Sequence, residues 1–183
     1  MGLFYGDLTP DIRRLMIEEI DMDVASENIS LSRWLTQGGQ GNWPDLLKRA
    51  ATEGSDVTLA TEIRRGNHLV ERYQKRKPKS NEYTWAAVPH NGHEVLAEIE
   101  FNNYFCRALC RHAIENRIPR LEIYRAKAAM QPRPESQEKI GTLIDPLTVL
   151  TDLRASVGSA TALGIPAGPG TGLTLRIPRV GTF

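Results

Sequence analysis

The sequence predicts an α+β protein: a mainly helical domain around one central helix, with a protruding β-hairpin and an extended C-terminal arm. Apolar residues recur at helical spacing in several segments, of which 92–116 is the longest. A two-residue alternation marks a hairpin at 68–88. Glycine and proline interrupt 158–183 so often that this stretch is not expected to fold alone. We therefore assign 1–157 to the domain and 158–183 to the arm.

The first helix is predicted to start at Thr9 and Pro10. Thr9 is a suitable N-cap, and proline suits the first helical position because the N–H that it lacks would be unpaired there. Residues 37–41 are rich in glycine and predict a flexible loop, so the second helix should open at 42–45 and end at Gly54. Ser55 or Asp56 caps a short third helix.

The central helix follows the hairpin. Asn91 and Glu94 resemble a capping box at its start, and its apolar residues cover more than one face, which is typical of a helix packed on two sides. Residues 121–124 alternate as a strand does, and a weak helix ends at 140–141. A final helix begins at 145–146. Its inward residues are expected to be Leu147, Leu150 and Leu153.

Composition excludes several classes of function. The net charge is +1, so no global field attracts nucleic acid or an anionic membrane. We expect neither a signal peptide nor a transmembrane helix, because no long apolar run is present. Two cysteines provide no disulfide framework and indicate a reducing, intracellular origin, which includes anything assembled inside a host cell.

Two groups of residues invite a metal interpretation. Cys106 and Cys110 lie one helical turn apart, but His112 falls on another face and a structural zinc site needs four ligands. We interpret both cysteines as small buried apolar residues. His90 and His93 are interpreted as solvated residues of a loop and helix start. We therefore predict no metal and no cofactor.

The hairpin tip is the one local charge cluster that suggests a ligand. Basic residues next to aromatic ones can bind a phosphate backbone and stack bases, whereas the alternative is a solvated tip whose rings pack on one face. A basic hairpin of this kind would enter a groove or touch duplex DNA nonspecifically. The candidate contacts are Arg72, Lys75, Arg76, Lys77 and Lys79, beside Tyr73, Tyr83 and Trp85.

Other charged residues are interpreted as structural. A second basic series, from Arg107 and Arg111 to Lys127, alternates with glutamates, which predicts ion pairs within the domain or across subunits. The acidic pairs at 18–19 and at 21 and 23 are assigned to an ordinary solvent-facing side of the first helix.

No enzyme motif is present. The glycines at 168–172 precede a strand-like run instead of a helix with Lys and Ser/Thr, so they do not form a phosphate-binding loop. Nucleophile elbows, zinc-protease helices and kinase signatures are also missing from the sequence. We expect a protein that is not an enzyme, and the alternative of a small enzyme of unknown chemistry stays open.

The arm contains one alternating run, with Leu173, Leu175 and Ile177 on one side. Such a strand can add to the sheet edge of a neighbouring subunit, with backbone hydrogen bonds providing the affinity. It can equally pair with the hairpin or with the strand at 121–124 of its own chain. The sequence does not decide between these two arrangements.

A small domain with a protruding hairpin and a long arm resembles virion structural proteins of tailed bacteriophages, such as head–tail connectors and capsid cement proteins. Residues 98–104 and 121–127 are also similar to uncharacterised proteins of phage structural gene clusters. The resemblance implies an assembly protein of the virion, made in the host cytoplasm, that contacts copies of itself and other virion proteins without crossing a membrane. The alternative hypothesis is a nucleic-acid-binding accessory protein that uses the hairpin tip.

Overall fold

The computed structural model describes residues 2–78, 81–128, 133–158, 161–165 and 170–179. These ranges contain six helices and two small antiparallel sheets, which confirms the predicted α+β, mainly helical class. The helices are α1 (Pro10–Ala25), α2 (Gln37–Glu53), α3 (Asp56–Arg65), α4 (Gly92–Glu115), α5 (Pro134–Glu138) and α6 (Pro146–Ala155). The strands are β1 (Arg72–Arg76), β2 (Tyr83–Ala87), β3 (Leu121–Arg125), β4 (Leu143–Ile144) and β5 (Leu173–Arg176).

Helix α4 is the centre of the domain, as its apolar pattern predicted. It packs against α1, α3 and α6 and also contacts β5. Phe101, Phe105 and Leu109 are fully buried on it. The predicted capping box is wrong, because Asn91 makes no side-chain hydrogen bond to the first turn. Its backbone has ψ 20° instead of the extended conformation that directs a capping side chain at the helix.

Helix α2 begins earlier than predicted. Thr36 is its N-cap, since the Thr36 Oγ1 accepts a hydrogen bond from the Gly39 N–H at 2.9 Å. Glycine is required at position 39 because a Cβ there would lie 2.6 Å from the His68 carbonyl oxygen. The glycine-rich stretch is therefore helical and closely packed, and Pro44 lies inside the helix instead of at its start.

Helix α6 begins after Asp145, whose carboxylate accepts the Thr148 N–H at 2.8 Å. Leu150 and Leu153 are buried as predicted, and Val149 joins them. The inward placement of Leu147 is wrong, because this side chain is 60% exposed. A residue two positions before Val149 is rotated by roughly 200° from it on the helix.

Strands β1 and β2 form the predicted hairpin, here called the ribbon, and this two-stranded sheet is separate from the other sheet. Its base is fixed to the domain. The Thr36 N–H donates to the His68 carbonyl and the Val70 N–H to the Trp34 carbonyl, both at 2.8 Å. The Tyr73 ring packs edge-on against Trp34, with centroids 5.9 Å apart.

The second sheet has the order β4-β3-β5, and both pairings are antiparallel. Strand β5 pairs with β3 of its own chain, with Leu175 opposite Ile123 and Leu173 opposite Arg125. The Asn102 side chain donates to the Leu173 carbonyl at 2.9 Å. Of the two arrangements that the sequence left open for this strand, the structure has the one within the chain.

This pairing corrects the expectation of an assembly contact at Leu173, Leu175 and Ile177. Leu173 and Leu175 are 2% and 0% exposed within the main core, and Ile177 packs against that core. Burying a leucine side chain stabilises a fold by roughly 1.5–3 kcal/mol, so withdrawing these two leucines would cost this chain's own core several times RT. Strand β5 is therefore part of the domain and not a projecting clamp.

Candidate nucleic-acid interface

The register of the ribbon assigns its side chains to two faces. Residues opposite each other in an antiparallel pair project to the same side. Arg76 lies opposite Tyr83, Gln74 opposite Trp85 and Arg72 opposite Ala87. This set forms one face, which we call the outer face because Tyr73, on the other side, packs against Trp34 of the domain.

The outer face combines aromatic rings with arginines. Tyr83 and Trp85 are 59% and 58% exposed, so each ring keeps more than half of its surface in water. Arg72 and Arg76 are on the facing strand and are also exposed. Diagonal neighbours across an antiparallel pair lie within reach of long and aromatic side chains, so this face presents cations beside rings. It can therefore offer both charge and a stacking surface to a ligand.

The structure describes four of the five predicted tip cations, and Lys79 lies outside the described residues. Lys77 pairs with Glu82 at 2.6 Å, and Arg76 donates a hydrogen bond to the Asn81 side chain. Arg72 and Lys75 form no ion pair with any residue that the structure describes. Lys75 is exposed on the inner face, so cations occupy both sides of the ribbon.

Positive charge extends beyond the ribbon to the end of α3. Residues 64–77 contain six basic residues and one acidic residue, a net +5. The other residues of the chain contain 17 basic and 21 acidic residues, a net −4. The net charge of +1 for the whole chain is therefore the sum of a strongly basic segment and an acidic remainder. Arg64 and Arg65, both exposed, are the members that the sequence interpretation missed.

A second group of charged residues is buried between α1, α4 and α6. Arg107 is 1% exposed and donates to Glu19 at 2.8 Å and to both oxygens of Asp23 at 2.6 and 2.9 Å. Arg154 of α6 also binds Glu19, and Tyr104 donates to Asp23 at 2.9 Å. Burial raises the pKa of Glu19, but the hydrogen bond from Arg154 and the charge of Arg107 outweigh it, so the net shift is downward.

This buried cluster corrects the assignment of the acidic pairs to a solvent-facing side of α1. Asp21 is exposed and Glu18 half-buried, but Glu19 and Asp23 are 0% and 4% exposed. The ion pairs predicted for the second basic series are present at Arg107, at Arg111 and at Lys127, which pairs with Glu98 at 2.8 Å. Every charge of the buried cluster has a partner, so its role is to hold three helices in register.

Glu100 is a buried acid at the edge of this cluster. Its side chain accepts one hydrogen bond, from Ser30 at 3.1 Å, and it is 5% exposed. Burial raises the pKa of Glu100 to about 7, and the Ser30 hydrogen bond opposes that shift. This carboxyl group is therefore largely protonated below neutral pH.

Both cysteines are buried, as predicted, but the surroundings of Cys106 are partly polar, because its thiol donates to the Asn102 Oδ1 at 3.5 Å and lies 3.6 Å from the Thr174 Oγ1. Burial raises the pKa of Cys106 to about 12 and holds the pKa of Cys110 well above its usual value. His112 binds Asp11 at 2.9 Å on the surface instead of facing them. Among the described residues, no group of three or more His, Cys, Asp or Glu side chains is placed to hold a metal.

A cleft of about 200 Å³ lies between α3 and the start of α4. It is lined by Asp56, Thr61, Arg64, His93, Glu94, Glu98 and Lys127, among others. Asp56 accepts the Leu3 N–H at 2.9 Å, and Glu98 is paired with Lys127. Burial raises the pKa of Asp56 against the hydrogen bonds from the Leu3 and Val57 N–H groups. Asp56 thus holds the N-terminal segment in place, and Glu98 holds the segment that follows β3.

No protein-family model, no curated protein and no solved structure matches this chain. Among the residues that the structure describes, no helix is both long and apolar enough to cross a membrane. The candidate interface therefore rests on its own geometry and charge.

Proposed function

We propose that this protein acts by binding rather than by catalysis, and that it binds nucleic acid through the ribbon and the arginines at the end of α3. The observation that carries the proposal is the net +5 of residues 64–77 on a chain whose remainder is acidic. Contacts to phosphates dominate the affinity of a protein for nucleic acid. A protein of small net charge can make these contacts when its cations are clustered on one surface.

The outer face adds a reason to choose nucleic acid among polyanions. Tyr83 and Trp85 offer two exposed ring faces next to Arg72 and Arg76. Rings of this kind stack on bases or pack against sugars, while arginines bind the neighbouring phosphates. A purely electrostatic partner would not require the rings.

The test is fluorescence anisotropy with a labelled mixed-sequence oligodeoxynucleotide, in single-stranded and duplex form, over a range of salt concentrations. Wild-type protein is expected to bind at low salt and to lose affinity steeply as salt rises. The double variant Arg72→Gln/Lys75→Gln removes two exposed cations. It should bind more weakly, with a salt dependence reduced by roughly two counterions.

The matched control is Arg120→Gln, which changes an exposed arginine between α4 and β3, far along the chain from the basic segment. It should leave the affinity unchanged within about twofold, because it is not expected to touch a phosphate. Failure of the wild-type protein to bind either form of DNA at low salt would rule out the proposed function.

A second candidate is a virion structural protein that acts through protein–protein contacts. One observation favours it: exposed apolar side chains surround the short edge strand β4 and the start of α6. Leu143 and Leu147 are 53% and 60% exposed, and Ile140 is 40% exposed. An edge strand beside apolar side chains is a surface on which another chain can add a strand.

Light scattering tests this second candidate. If Leu143 and Leu147 form a contact between copies, the wild-type protein will be oligomeric and the variant Leu143→Lys/Leu147→Lys monomeric. Wild-type protein that stays monomeric at high concentration would exclude contacts between copies.

A further inference from the structure

The charge of residues 64–77 does not distinguish single-stranded from double-stranded nucleic acid. Helices α2 and α3, which lead into this segment, favour one of the two forms. Helix α2 ends at Glu53 and α3 begins at Asp56. The turn between them is short, and a Cβ at Gly54 would lie 2.1 Å from the Thr58 Oγ1, so glycine suits this position. The two helices pack against each other, and α3 is the second of the pair. In helix–turn–helix proteins the second helix of such a pair lies in the major groove of DNA.

Helix α3 has one buried side and one free side. Leu59, Ala60 and Ile63 are buried, and these positions recur at the spacing of a single stripe. At 100° per residue the opposite side carries Thr58, Thr61 and Arg65, all exposed. A helix with its side chains is roughly 10–12 Å across, and the major groove of B-DNA is roughly 12 Å wide and admits a helix. The free side of α3 therefore has the dimensions of a surface that can enter a groove.

The polar side chains on the free side of α3 leave one cation available to a ligand. The Thr58 and Thr61 hydroxyls donate to carbonyls of their own helix or its cap, both at 2.8 Å. Glu62, the acidic residue next to them, is paired with Arg49 at 3.1 Å. Arg65 forms no ion pair with any described residue, so it is the side chain available to a base edge or a groove phosphate.

The ribbon follows directly from the end of this helix. Gly66 closes α3, and Asn67 turns the chain with a φ of 51°. Residues 68 and 70 are then fixed to residues 34 and 36 by the hydrogen bonds at the base of the ribbon. Arg65 and Arg72 are thus the ends of one short, anchored connection. The ribbon therefore starts a few residues after the end of α3 and is held close to it.

We infer that the ligand is double-stranded DNA, with the free side of α3 in the major groove and the ribbon along the adjoining sugar–phosphate backbone. The inference rests on the proposed function and names its ligand. Arg65 contacts the groove, and Arg72 and Lys75 contact phosphates. Double-stranded RNA is excluded as an equal ligand, because its deep and narrow major groove does not admit a helix.

The experiment compares three labelled probes of one mixed sequence at fixed low salt: the DNA duplex, one of its single strands, and the RNA duplex. Wild-type protein should bind the DNA duplex at least about tenfold more tightly than the other two probes. Arg65→Ala should weaken duplex binding by about tenfold and single-strand binding by no more than about twofold, because a groove contact is lost only from the duplex. Arg120→Ala, which removes the same charge elsewhere, should change neither.

The outcomes separate the two proposals. Equal binding of single strand and duplex, with Arg65→Ala without effect and Arg72→Gln/Lys75→Gln weakened, would overturn the role of α3 and leave nucleic-acid binding by the ribbon standing. Equal binding of the RNA and DNA duplexes would also overturn the groove assignment. Binding of none of the three probes would overturn both, and would point instead to an acidic protein as the partner of the ribbon.

Discussion

Glu100 makes the stability of this protein depend on pH in a direction that can be worked out. The substitution Glu100→Gln keeps the shape of the side chain and its acceptor for the Ser30 hydroxyl, but cannot ionise. In the wild-type protein, burial raises the pKa of Glu100 from 4.5 to about 7, and the charge of Asp23 adds to the shift while that of Arg107 reduces it. In the unfolded chain the group titrates near its ordinary value.

The sign follows from proton binding. Between pH of about 4.5 and 7 the folded protein keeps the proton that the unfolded chain has lost, so the free energy of unfolding falls as pH rises. The stabilisation is complete below the unfolded pKa and is lost once the pH has passed the folded one. At roughly 1.4 kcal/mol for each unit of pKa shift, the total loss is on the order of 3 kcal/mol.

Urea unfolding at several pH values from 5 to 8 measures this directly. The wild-type free energy of unfolding, minus that of Glu100→Gln, should decline across the window by a few kcal/mol, so that the variant is relatively more stable at pH 8. Subtraction removes the contributions of other groups, such as Asp56, that both proteins share. Glu53→Gln, at an exposed position, is the matched control and should leave the wild-type curve in place.

Parallel curves for the wild-type protein and Glu100→Gln over this range would refute the reasoning. They would mean that Glu100 ionises in the folded protein as readily as in the unfolded chain. Water or a cation would then have to reach the carboxyl group, and its burial would not control its proton.

Three further predictions concern the core. Arg107→Met should lower the free energy of unfolding by about 3–5 kcal/mol, because it leaves two buried carboxylates without their main cation, whereas Arg49→Ala at an exposed pair should cost under about 1 kcal/mol; urea unfolding compares them. Leu175→Ala should lower the free energy of unfolding by about 2–5 kcal/mol. Truncation after Gly164 removes β5 and should abolish the cooperative thermal transition, whereas a chain that had lost only an assembly contact would keep it. Cys106 should resist a thiol reagent at pH 8 in native protein and react at once in urea, since its pKa is about 12 and it is buried; rapid labelling of native protein would contradict this.

Local signals predicted much of the fold. Thr9 and Pro10 marked the start of α1, Ser55 that of α3 and Asp145 that of α6, because a capping side chain and a following helix lie within a few residues of each other. The apolar excess of 92–116 identified the central helix for a similar reason. A helix covered on two sides has apolar residues around most of its circumference.

The predictions were wrong where a contact between distant parts of the chain decided the local structure. The glycines at 37–41 suggested flexibility, but the close approach of His68 to Gly39 needs a residue without a side chain inside a helix. Glu19 and Asp23 were assigned to the surface because acidic residues are seldom fully buried. Their partner Arg107 is more than 80 positions away, and no local pattern reveals a pair at that separation.

Of the candidate interface, the sequence predicted the ribbon but not the part contributed by α3. The cations and rings of the hairpin are contiguous in sequence, so the sequence alone reveals their cluster. The role of α3 could not be predicted in this way, because packing against α4 decides which side of α3 stays free and therefore that Arg65 lies on it. The pairing register within the ribbon sets Trp85 and Tyr83 beside arginines on the outer face.

The exposed rings of the ribbon support the proposed binding function independently of its charge. A two-stranded hairpin is at best marginally stable in water, and none of its described residues belongs to the main core. Tyr73 anchors it through Trp34, but Trp85 and Tyr83 lie on the opposite face and add nothing to that anchor. Exposed rings that do not support the fold lower solubility unless a partner covers them. The exposed rings therefore support the proposal that a ligand covers the outer face, and the adjoining arginines favour an anionic ligand.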